Sequence, residues 1–113
     1  MAGPKMTLQT QLVLHALLEH PTREFYGLEI CAAAGLASGT IHPILARLEG
    51  LGWLESRWED VDPAEQGRPK RRYYRLSPDG AEHARHALAT ARTPISGLLP
   101  GLRRGLKPSG GAA

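Results

Sequence analysis

Apolar residues recur at helical spacing in several segments of the chain, and local signals mark where those segments end. A first helix is predicted over residues 8–19, with Thr7 as its cap and His20-Pro21 as its end, because proline disfavours helical geometry in the residue before it. A second helix is predicted over residues 25–34, followed by Gly35 in the left-handed conformation that ends many helices. These segments therefore predict two short helices.

The third helix has a clear division between an apolar and a polar side. It is predicted to begin at Ser38 or Thr40 and to end at the Gly50-Leu51-Gly52 turn. Pro43 is compatible with this helix because proline is tolerated near a helix start. The predicted inward side comprises Ile41, Ile44, Leu45, Leu48 and Leu51. We therefore expect this helix to pack by one face and to present the other.

Residues 53–59 and 72–76 alternate between apolar and polar side chains and predict two strands, joined by an extended hairpin loop at residues 60–71. Ser77-Pro78 then starts a last helix, predicted over residues 78–92. Its narrow apolar stripe comprises Ala81, Ala84, Leu88 and Ala91. Together these elements predict an α+β fold that is mostly α: a winged helix-turn-helix with three helices, a two-stranded wing hairpin and a C-terminal helix.

Length and composition narrow the class of protein. With 113 residues the chain supports one domain, predicted at residues 7–92, and residues 93–113 are expected to be a flexible tail. The single Cys31 rules out an intramolecular disulfide and suits a reducing cytosol, so a cytoplasmic location is expected. Cys31 itself is interpreted as a small buried residue, with a redox sensor as the alternative. The chain has no run of about 18 apolar residues, so no membrane partner is predicted.

Charge is unevenly distributed along the chain, although the net charge is only +3. Residues 1–60 hold 4 Lys and Arg against 7 Asp and Glu, whereas residues 61–80 hold 5 against 3 and residues 81–113 hold 5 against 1. Such asymmetry favours an anionic partner on one side of the fold, with a solvated charged face as the alternative. The acidic cluster at residues 59–62 is predicted to be solvated, and Glu49 to form an ion pair.

Two groups of residues have the chemistry of DNA recognition. The outer side of the third helix carries Ser38, Gly39, Thr40, His42, Pro43 and Arg47, and the predicted wing loop carries Arg68, Pro69, Lys70 and Arg71. Small residues let a helix approach the major groove, Thr40 and His42 can reach base edges or phosphates, and cations neutralise phosphates. The alternatives are a helix-capping Thr40, an inert surface His42 and a solvated wing loop. Tyr26 is predicted either to lie by a phosphate or to pack.

Two sequence blocks, taken in order, are specific. The first comprises Tyr26-Gly27, residues 38–45 (Ser-Gly-Thr-Ile-His-Pro-Ile-Leu) and Arg47-Leu48-Glu49, and the second comprises residues 67–77. Together they resemble the PadR family of bacterial transcriptional regulators, whose wing and second strand the second block matches. The chain is similar to the short-tailed branch of that family, which has a single C-terminal helix. The family usually has tyrosine at the position of His42, so the chain departs from the pattern there.

The resemblance, which covers about residues 7–90, implies a repressor that binds a pseudo-palindromic operator in double-stranded DNA. It also implies C-terminal dimerisation and release by a small-molecule effector, often planar and aromatic, near the dimer interface. A homodimer is expected from the residues as well, because one recognition helix reads only a few base pairs. The predicted dimer interface comprises Leu8, Leu12, Ala81, Ala84, Leu88 and Ala91.

Other kinds of chemistry have little support in the sequence. His83 and His86 lie three residues apart on a predicted helix, but further ligands at a suitable spacing are missing, so neither a metal nor another cofactor is predicted. The sequence also lacks a phosphate-binding glycine motif and a nucleophile elbow, so an enzyme is not predicted. Trp53 and Trp58 are interpreted as hairpin packing residues, with ligand stacking as the alternative. The alternative function is a winged-helix protein-interaction module without specific DNA binding.

Overall fold

The helix-turn-helix and the wing share one small sheet. The computed structural model describes residues 4–92, so the predicted tail at residues 93–113 lies outside the described residues. The elements are α1 (Leu8–Leu18), β1 (Phe25–Tyr26), α2 (Gly27–Ala34), α3 (Ser38–Gly50), β2 (Leu54–Trp58), α4 (Pro63–Gln66), β3 (Arg72–Leu76) and α5 (Pro78–Ala89). The sheet is antiparallel with the order β1-β3-β2. The fold is thus mostly helical with a wing hairpin, which confirms the predicted fold class.

Local signals determine the helix ends as predicted. The hydroxyl of Thr7 accepts a hydrogen bond from the backbone N–H of Thr10 at 3.1 Å and so caps α1. Gly35 ends α2 in the left-handed region at φ +71°. The hydroxyl of Ser77 accepts a hydrogen bond from the backbone N–H of Gly80 at 2.9 Å and caps α5. Each cap involves residues at most four positions apart, which is why the sequence alone is sufficient to predict it.

The hydrophobic core lies where α1, α2 and α3 meet, with α5 packed against α1. Its largest fully buried apolar side chains are Val13, Leu14, Leu17, Ile30, Ile41, Leu45 and Leu48. Burial of Ile30 and Ala34 on α2 and of Ile41 and Ile44 on α3 forms the helix-turn-helix as predicted. Within residues 4–92, no single helix is long and apolar enough to cross a membrane; α2 and α3 reach that length and composition only together, across a bend of 109°.

The start of α2 differs from the prediction. Phe25 and Tyr26 form the strand β1 rather than the first turn of a helix, since Phe25 pairs with Tyr74 and Tyr26 with Tyr73. Tyr26 is extended, at φ −96° and ψ 168°. The carboxylate of Glu29 accepts a hydrogen bond from the Tyr26 backbone N–H at 3.1 Å. That bond fixes the chain where the strand ends and the helix begins.

The wing loop also differs from the prediction of an extended hairpin loop at residues 60–71. It contains the short helix α4, whose first residue is Pro63. The carboxylate of Asp62 accepts a hydrogen bond from the Ala64 backbone N–H at 2.9 Å, and Gly67 ends the turn at φ +68°. Asp, Pro and Gly in this order are ordinary signals for the start and end of a helix, so the loop folds locally.

The apolar stripe of α5 belongs to the core of the protomer. Ala81, Ala84 and Leu88 are buried within the protomer, where α5 packs against α1 and β3. These three residues are therefore core residues rather than exposed interface residues, which corrects their predicted place in a dimer interface. A periodic stripe shows that a helix face is covered but not which element covers it. Leu8 is 50% exposed, and Leu12 and Ala91 are partly exposed, so their place in a dimer interface stays a prediction.

Two side chains near the hairpin are more exposed than predicted. Leu51 follows the last turn of α3 and is exposed, because Gly52 turns the chain at φ +81° before β2 begins. Trp58 is 58% exposed at the end of β2, and its ring packs against the guanidinium of its cross-strand partner Arg72 rather than in the core. Trp53 is buried, and Tyr74 and Leu76 face the core. The hairpin is therefore buried at the end near α5 and exposed toward the wing tip.

At the start of α5, Gly80 lies directly against the backbone of Trp53. A Cβ atom placed on Gly80 would lie 2.0 Å from the carbonyl oxygen of Trp53 and 2.6 Å from its carbonyl carbon. The Ser77 hydroxyl donates a hydrogen bond to the Gly52 carbonyl at 2.8 Å, and the Ser77 N–H donates one to the Trp53 carbonyl at 3.0 Å. The end of the helix-turn-helix, the wing and α5 are thus fixed to one another at this junction.

Candidate nucleic-acid interface

The outer face of α3 carries polar side chains that the rest of the protomer does not use. The predicted contact residues Ser38, Gly39, Thr40, His42, Pro43 and Arg47 are all exposed, as are Ala46 and Gly50. Within residues 4–92, the side chains of Thr40, His42 and Arg47 form neither a hydrogen bond nor an ion pair. The N-cap residue of α3 is Ala37, so Thr40 lies inside the first turn and does not cap the helix. These side chains are free to contact another molecule.

A groove of about 360 Å³ lies between the start of α2, the start of α3 and the wing. This reading groove is lined by Tyr26, Gly27, Leu28, Ser38, His42, Arg68, Pro69, Arg71 and Arg72. At α2, Gly27 lies next to the His42 ring: a Cβ atom placed on Gly27 would be 3.5 Å from Cε1 of His42, an ordinary contact distance. Residues predicted separately on the helix and on the wing therefore meet at one place. The predicted residues outside its lining are Gly39, Thr40, Pro43, Arg47 and Lys70.

Tyr26 lies in a row of stacked side chains on the outer face of the sheet. The guanidinium of Arg71 lies 4.1 Å from the centre of its ring, and the ring of Tyr73 meets it edge-on at 5.9 Å. Arg57 lies 5.1 Å from the centre of the Tyr73 ring and donates hydrogen bonds of 2.7 and 2.8 Å to Glu24. These bonds lower the pKa of Glu24 and raise the pKa of Arg57. Tyr26 is thus a packed ring that supports a wing cation.

Glu59, just after β2, binds two residues of the wing loop, Arg68 and Arg71. Its carboxylate accepts hydrogen bonds from Nη1 and Nη2 of Arg68 at 2.7 and 3.0 Å, and from the backbone N–H of Arg71 at 3.1 Å. Its own N–H donates to the Arg71 carbonyl at 2.8 Å. The hydrogen bonds from Arg68 lower the pKa of Glu59 to about 2. The side chain is 12% exposed, so the prediction of a solvated acidic cluster is wrong at this residue.

Arg72 connects the wing to the end of α3. Its Nη2 donates a hydrogen bond of 2.7 Å to the hydroxyl of Ser56 and lies 3.4 Å from Oε2 of Glu49. The Ser56 hydroxyl donates to the same carboxylate oxygen at 2.5 Å. Glu49 therefore forms an ion pair, as predicted, and the pair spans two elements. Arg72 also lies over Trp58, with its guanidinium carbon 5.1 Å from the ring centre.

Sequence reasoning missed three residues that line the reading groove: Gly27, Leu28 and Arg72. Leu28 is 70% exposed, an unusual position for a leucine at the start of a helix. The signal for Arg72 was a charged residue at an inward position of the alternating strand pattern. The signal for Gly27 was its place directly after Tyr26, where α2 begins.

A second groove, here named the α5 groove, has a volume of about 620 Å³. It is lined by Pro4, Met6, Leu51, Trp53, His83, His86, Ala87, Thr90, Ala91 and Arg92. The rings of Trp53 and His83 stack with centres 5.5 Å apart and planes 12° from parallel. Among the residues that the structure describes, groups of three or more His, Cys, Asp or Glu that could hold a metal ion are absent. The α5 groove is thus largely apolar with basic and aromatic groups in its wall.

The geometry defines a class of protein. A helix-turn-helix with a partner-free outer helix face, next to a basic two-stranded wing, is the architecture of winged-helix transcriptional regulators. Residues 13–86 match the Transcriptional regulator PadR-like family, which is more than half of the chain. The chain therefore belongs to the PadR family, and both its family and its fold are those of DNA-binding transcriptional regulators rather than enzymes.

Solved structures share this fold. A PadR family transcriptional regulator from Eggerthella lenta DSM 2243 is 25% identical, with a TM-score of 0.57 over 88% of this chain and 84% of that chain. A PadR family regulator from Clostridium difficile R20291 is 19% identical, with a TM-score of 0.58 over 88% of this chain and 99% of that chain. BpsR of Bordetella bronchiseptica, whose DNA binding is regulated by 6-hydroxynicotinic acid, is 19% identical with a TM-score of 0.59. That match covers 75% of this chain and 55% of that chain. The curated proteins contain no match.

Proposed function

We propose that this chain is a repressor that binds double-stranded DNA in a sequence-specific manner, with α3 in the major groove and the wing on the adjacent backbone. The observation that carries this is that His42, whose side chain has no partner within residues 4–92, lines one groove together with the wing cations Arg68 and Arg71. Thr40 and His42 contact base edges, whereas Arg47 contacts a phosphate. The small Gly39 lets the helix approach the bases closely.

The wing contributes charge on the side of the reading groove. Arg71 is held over the ring of Tyr26 and lines the reading groove beside the start of α3, and Lys70, its neighbour in sequence, is exposed. Cations at these positions bind phosphates or the edge of the minor groove without reading a sequence. In this arrangement Tyr26 positions Arg71 and lies close to the phosphate that Arg71 binds.

Two copies of the chain bind a pseudo-palindromic operator in this proposal. A single recognition helix reads only a few base pairs, so a second copy supplies the remaining specificity. Leu8 on α1 is exposed, and Leu12 on α1 and Ala91 after α5 are partly exposed, so these residues are available for the contact. Leu8→Lys is expected to shift the chain from dimer to monomer in sedimentation. Leu28→Lys, at an exposed leucine of the reading groove, is the matched control and should leave the dimer intact.

The α5 groove is the place proposed for a small planar aromatic effector that releases DNA. Trp53 and His83 form a stacked pair in its wall, and the regulation of the Bordetella relative by 6-hydroxynicotinic acid supports the idea. The chain has two tryptophans, so Trp58→Phe leaves Trp53 as the single tryptophan, which can be excited selectively. Binding of an effector here should quench that fluorophore and lower DNA affinity together. Quenching without release of DNA would contradict an effector role.

One experiment tests the function as a whole. Fragments of the source genome are selected by binding at physiological salt, and candidate aromatic ligands are then added. We expect a small set of fragments with a two-fold related motif, and an affinity that falls by orders of magnitude from low to moderate salt. A flat salt response, or an absence of binding to its own promoter region, would overturn the DNA-binding proposal and support a protein-interaction module. The variant Thr40→Ala with His42→Ala is the control for loss of the motif.

A further inference from the structure

The wing cations differ in how the protein holds them. The guanidinium of Arg68 is bound by both of its terminal nitrogens to Glu59, whereas Lys70 is exposed and the guanidinium of Arg71 lies over the Tyr26 ring. A guanidinium that already shares two hydrogen bonds with a carboxylate is electrically neutralised by it. The basic residues of the wing are therefore not equivalent, although the sequence places them side by side.

Glu59 also binds the backbone of the wing. Its carboxylate accepts a hydrogen bond from the N–H of Arg71, and its own N–H donates one to the Arg71 carbonyl. These two bonds continue the pairing of β2 and β3 by one residue beyond their last pair, Trp58 and Arg72. The Arg68 bonds then fix the carboxylate itself. The side chains of Arg71 and Lys70 leave the protein from this fixed backbone.

We propose, building on the DNA-binding function proposed above, that Glu59 is a positioning residue that uses Arg68 as a structural partner to aim Arg71 and Lys70 at phosphates. Arg68 is then not a phosphate contact, which revises its predicted role. This follows from the bidentate geometry and from the low exposure of the Glu59 carboxylate. A carboxylate repels phosphate, so Glu59 does not contact DNA itself. Its contribution comes from the wing backbone that it holds in place.

Arg68→Lys separates the two roles of Arg68. Lysine keeps the positive charge, so a phosphate contact would survive, but it cannot form the two parallel hydrogen bonds to Glu59. We expect Arg68→Lys and Glu59→Gln each to weaken operator binding about five-fold, and the double variant to be no weaker than either single one. The slope of log affinity against log salt should stay that of the native chain. Lys70→Ala is the matched control and should lower that slope by about 1.

Three results would overturn this role. Native affinity of Arg68→Lys together with a lower slope for Arg68→Gln would show that Arg68 is a phosphate contact. Tighter binding by Glu59→Gln would show that Glu59 masks a cation. Additive losses in the double variant would show that the two residues act independently.

A measurement without DNA keeps this inference separate from the proposed function. Amide hydrogen exchange of Arg71 in the full chain should be faster in Glu59→Ala and unchanged in Lys70→Ala, because only the former loses the acceptor. Native exchange in α3 shows that the variant is folded. If the native chain binds no DNA, the proposed function fails whatever the exchange shows. If exchange at Arg71 is unchanged in Glu59→Ala, the positioning role fails even where DNA binds.

Discussion

The outer face of α3 and the wing treat their polar side chains in opposite ways. On α3, Thr40 and His42 have no hydrogen-bond or ion-pair partner within residues 4–92. In the wing, Arg68 is bound to Glu59, and the Arg71 guanidinium lies on a tyrosine ring. His42, Arg68 and Arg71 line the same groove, so the difference is not one of location.

This difference matches two tasks in DNA recognition. A free side chain can adopt the rotamer that a particular base edge requires, although it loses conformational freedom when it binds. A side chain that is already held loses little more, but it can serve only the one geometry in which it is held. We therefore expect discrimination between sequences to depend on α3 and the common affinity for DNA to depend on the wing.

The largest effect is expected at the junction on which both surfaces depend. Gly80→Ala places a Cβ atom 2.0 Å from the Trp53 carbonyl oxygen, which forces α5 away from its contact. The free energy of unfolding should fall by about 3 kcal/mol or more, and the Tm by on the order of 10–20 °C. Gly39→Ala is the matched control, because nothing lies within 4 Å of its added Cβ atom. Thermal unfolding of both variants checks this; equal losses would mean that close backbone contact is not the cause.

The next effect separates reading from folding on α3. Thr40→Ala and His42→Ala should change the ratio of affinities for two related operators by about 5- to 100-fold, because a good base contact discriminates by that much. Their Tm should stay close to that of the native chain, since both residues are exposed. Competition binding with operator variants measures the ratio. An unchanged ratio would remove both residues from base readout.

On the wing, Arg71→Ala should weaken binding to all sequences about equally and lower the salt slope by about 1. Arg75→Ala is the control, because it removes the same charge at a different place, in β3. Arg75 is exposed, pairs with Glu55 at 3.0 Å and does not line the reading groove. Titrations at several salt concentrations distinguish the two. Equal slopes for both variants would show that net charge, and not the position of Arg71, determines the affinity.

The smallest expected effect is a dependence of the free energy of unfolding on pH. The pKa of Glu59 is about 2, below its ordinary value of 4.5, so its ionised form favours the folded state above pH 4.5 and this contribution is lost as the pH falls toward 2. Glu59→Gln should therefore be less stable than the native chain at pH 7, with the difference disappearing between pH 4.5 and 2. Glu65→Gln in the exposed α4 is the control. A difference that does not depend on pH would contradict the ion pair as its cause.

Much of the fold could be predicted because its signals are local. Thr7, Gly35 and Ser77 each determine a helix end through neighbours in sequence, and the 3.6-residue period of α3 assigns its two faces. The exposed α3 residues follow from that period. The period fails at Leu51, which lies after the last helical residue of α3 and next to the Gly52 turn.

What could not be predicted depends on contacts between distant residues. The strand β1 has two residues and exists because Tyr26 pairs with Tyr73, which is far away in the sequence. The covering of the α5 stripe by α1, and the binding of Arg68 by Glu59, likewise follow from how the elements pack. Composition and spacing show which side chains can form such contacts, but the three-dimensional arrangement selects the partners.

The short strand β1 has a consequence for the DNA itself. It leads directly into α2 and is hydrogen-bonded to the central strand of the wing, while Arg72 binds the wing to the end of α3. The helix and the wing therefore present a fixed separation to the double helix. A protein that cannot adjust this separation leaves the adjustment to the DNA, whose groove width and stiffness vary with sequence. Base pairs that no side chain touches are then expected to influence affinity through their flexibility.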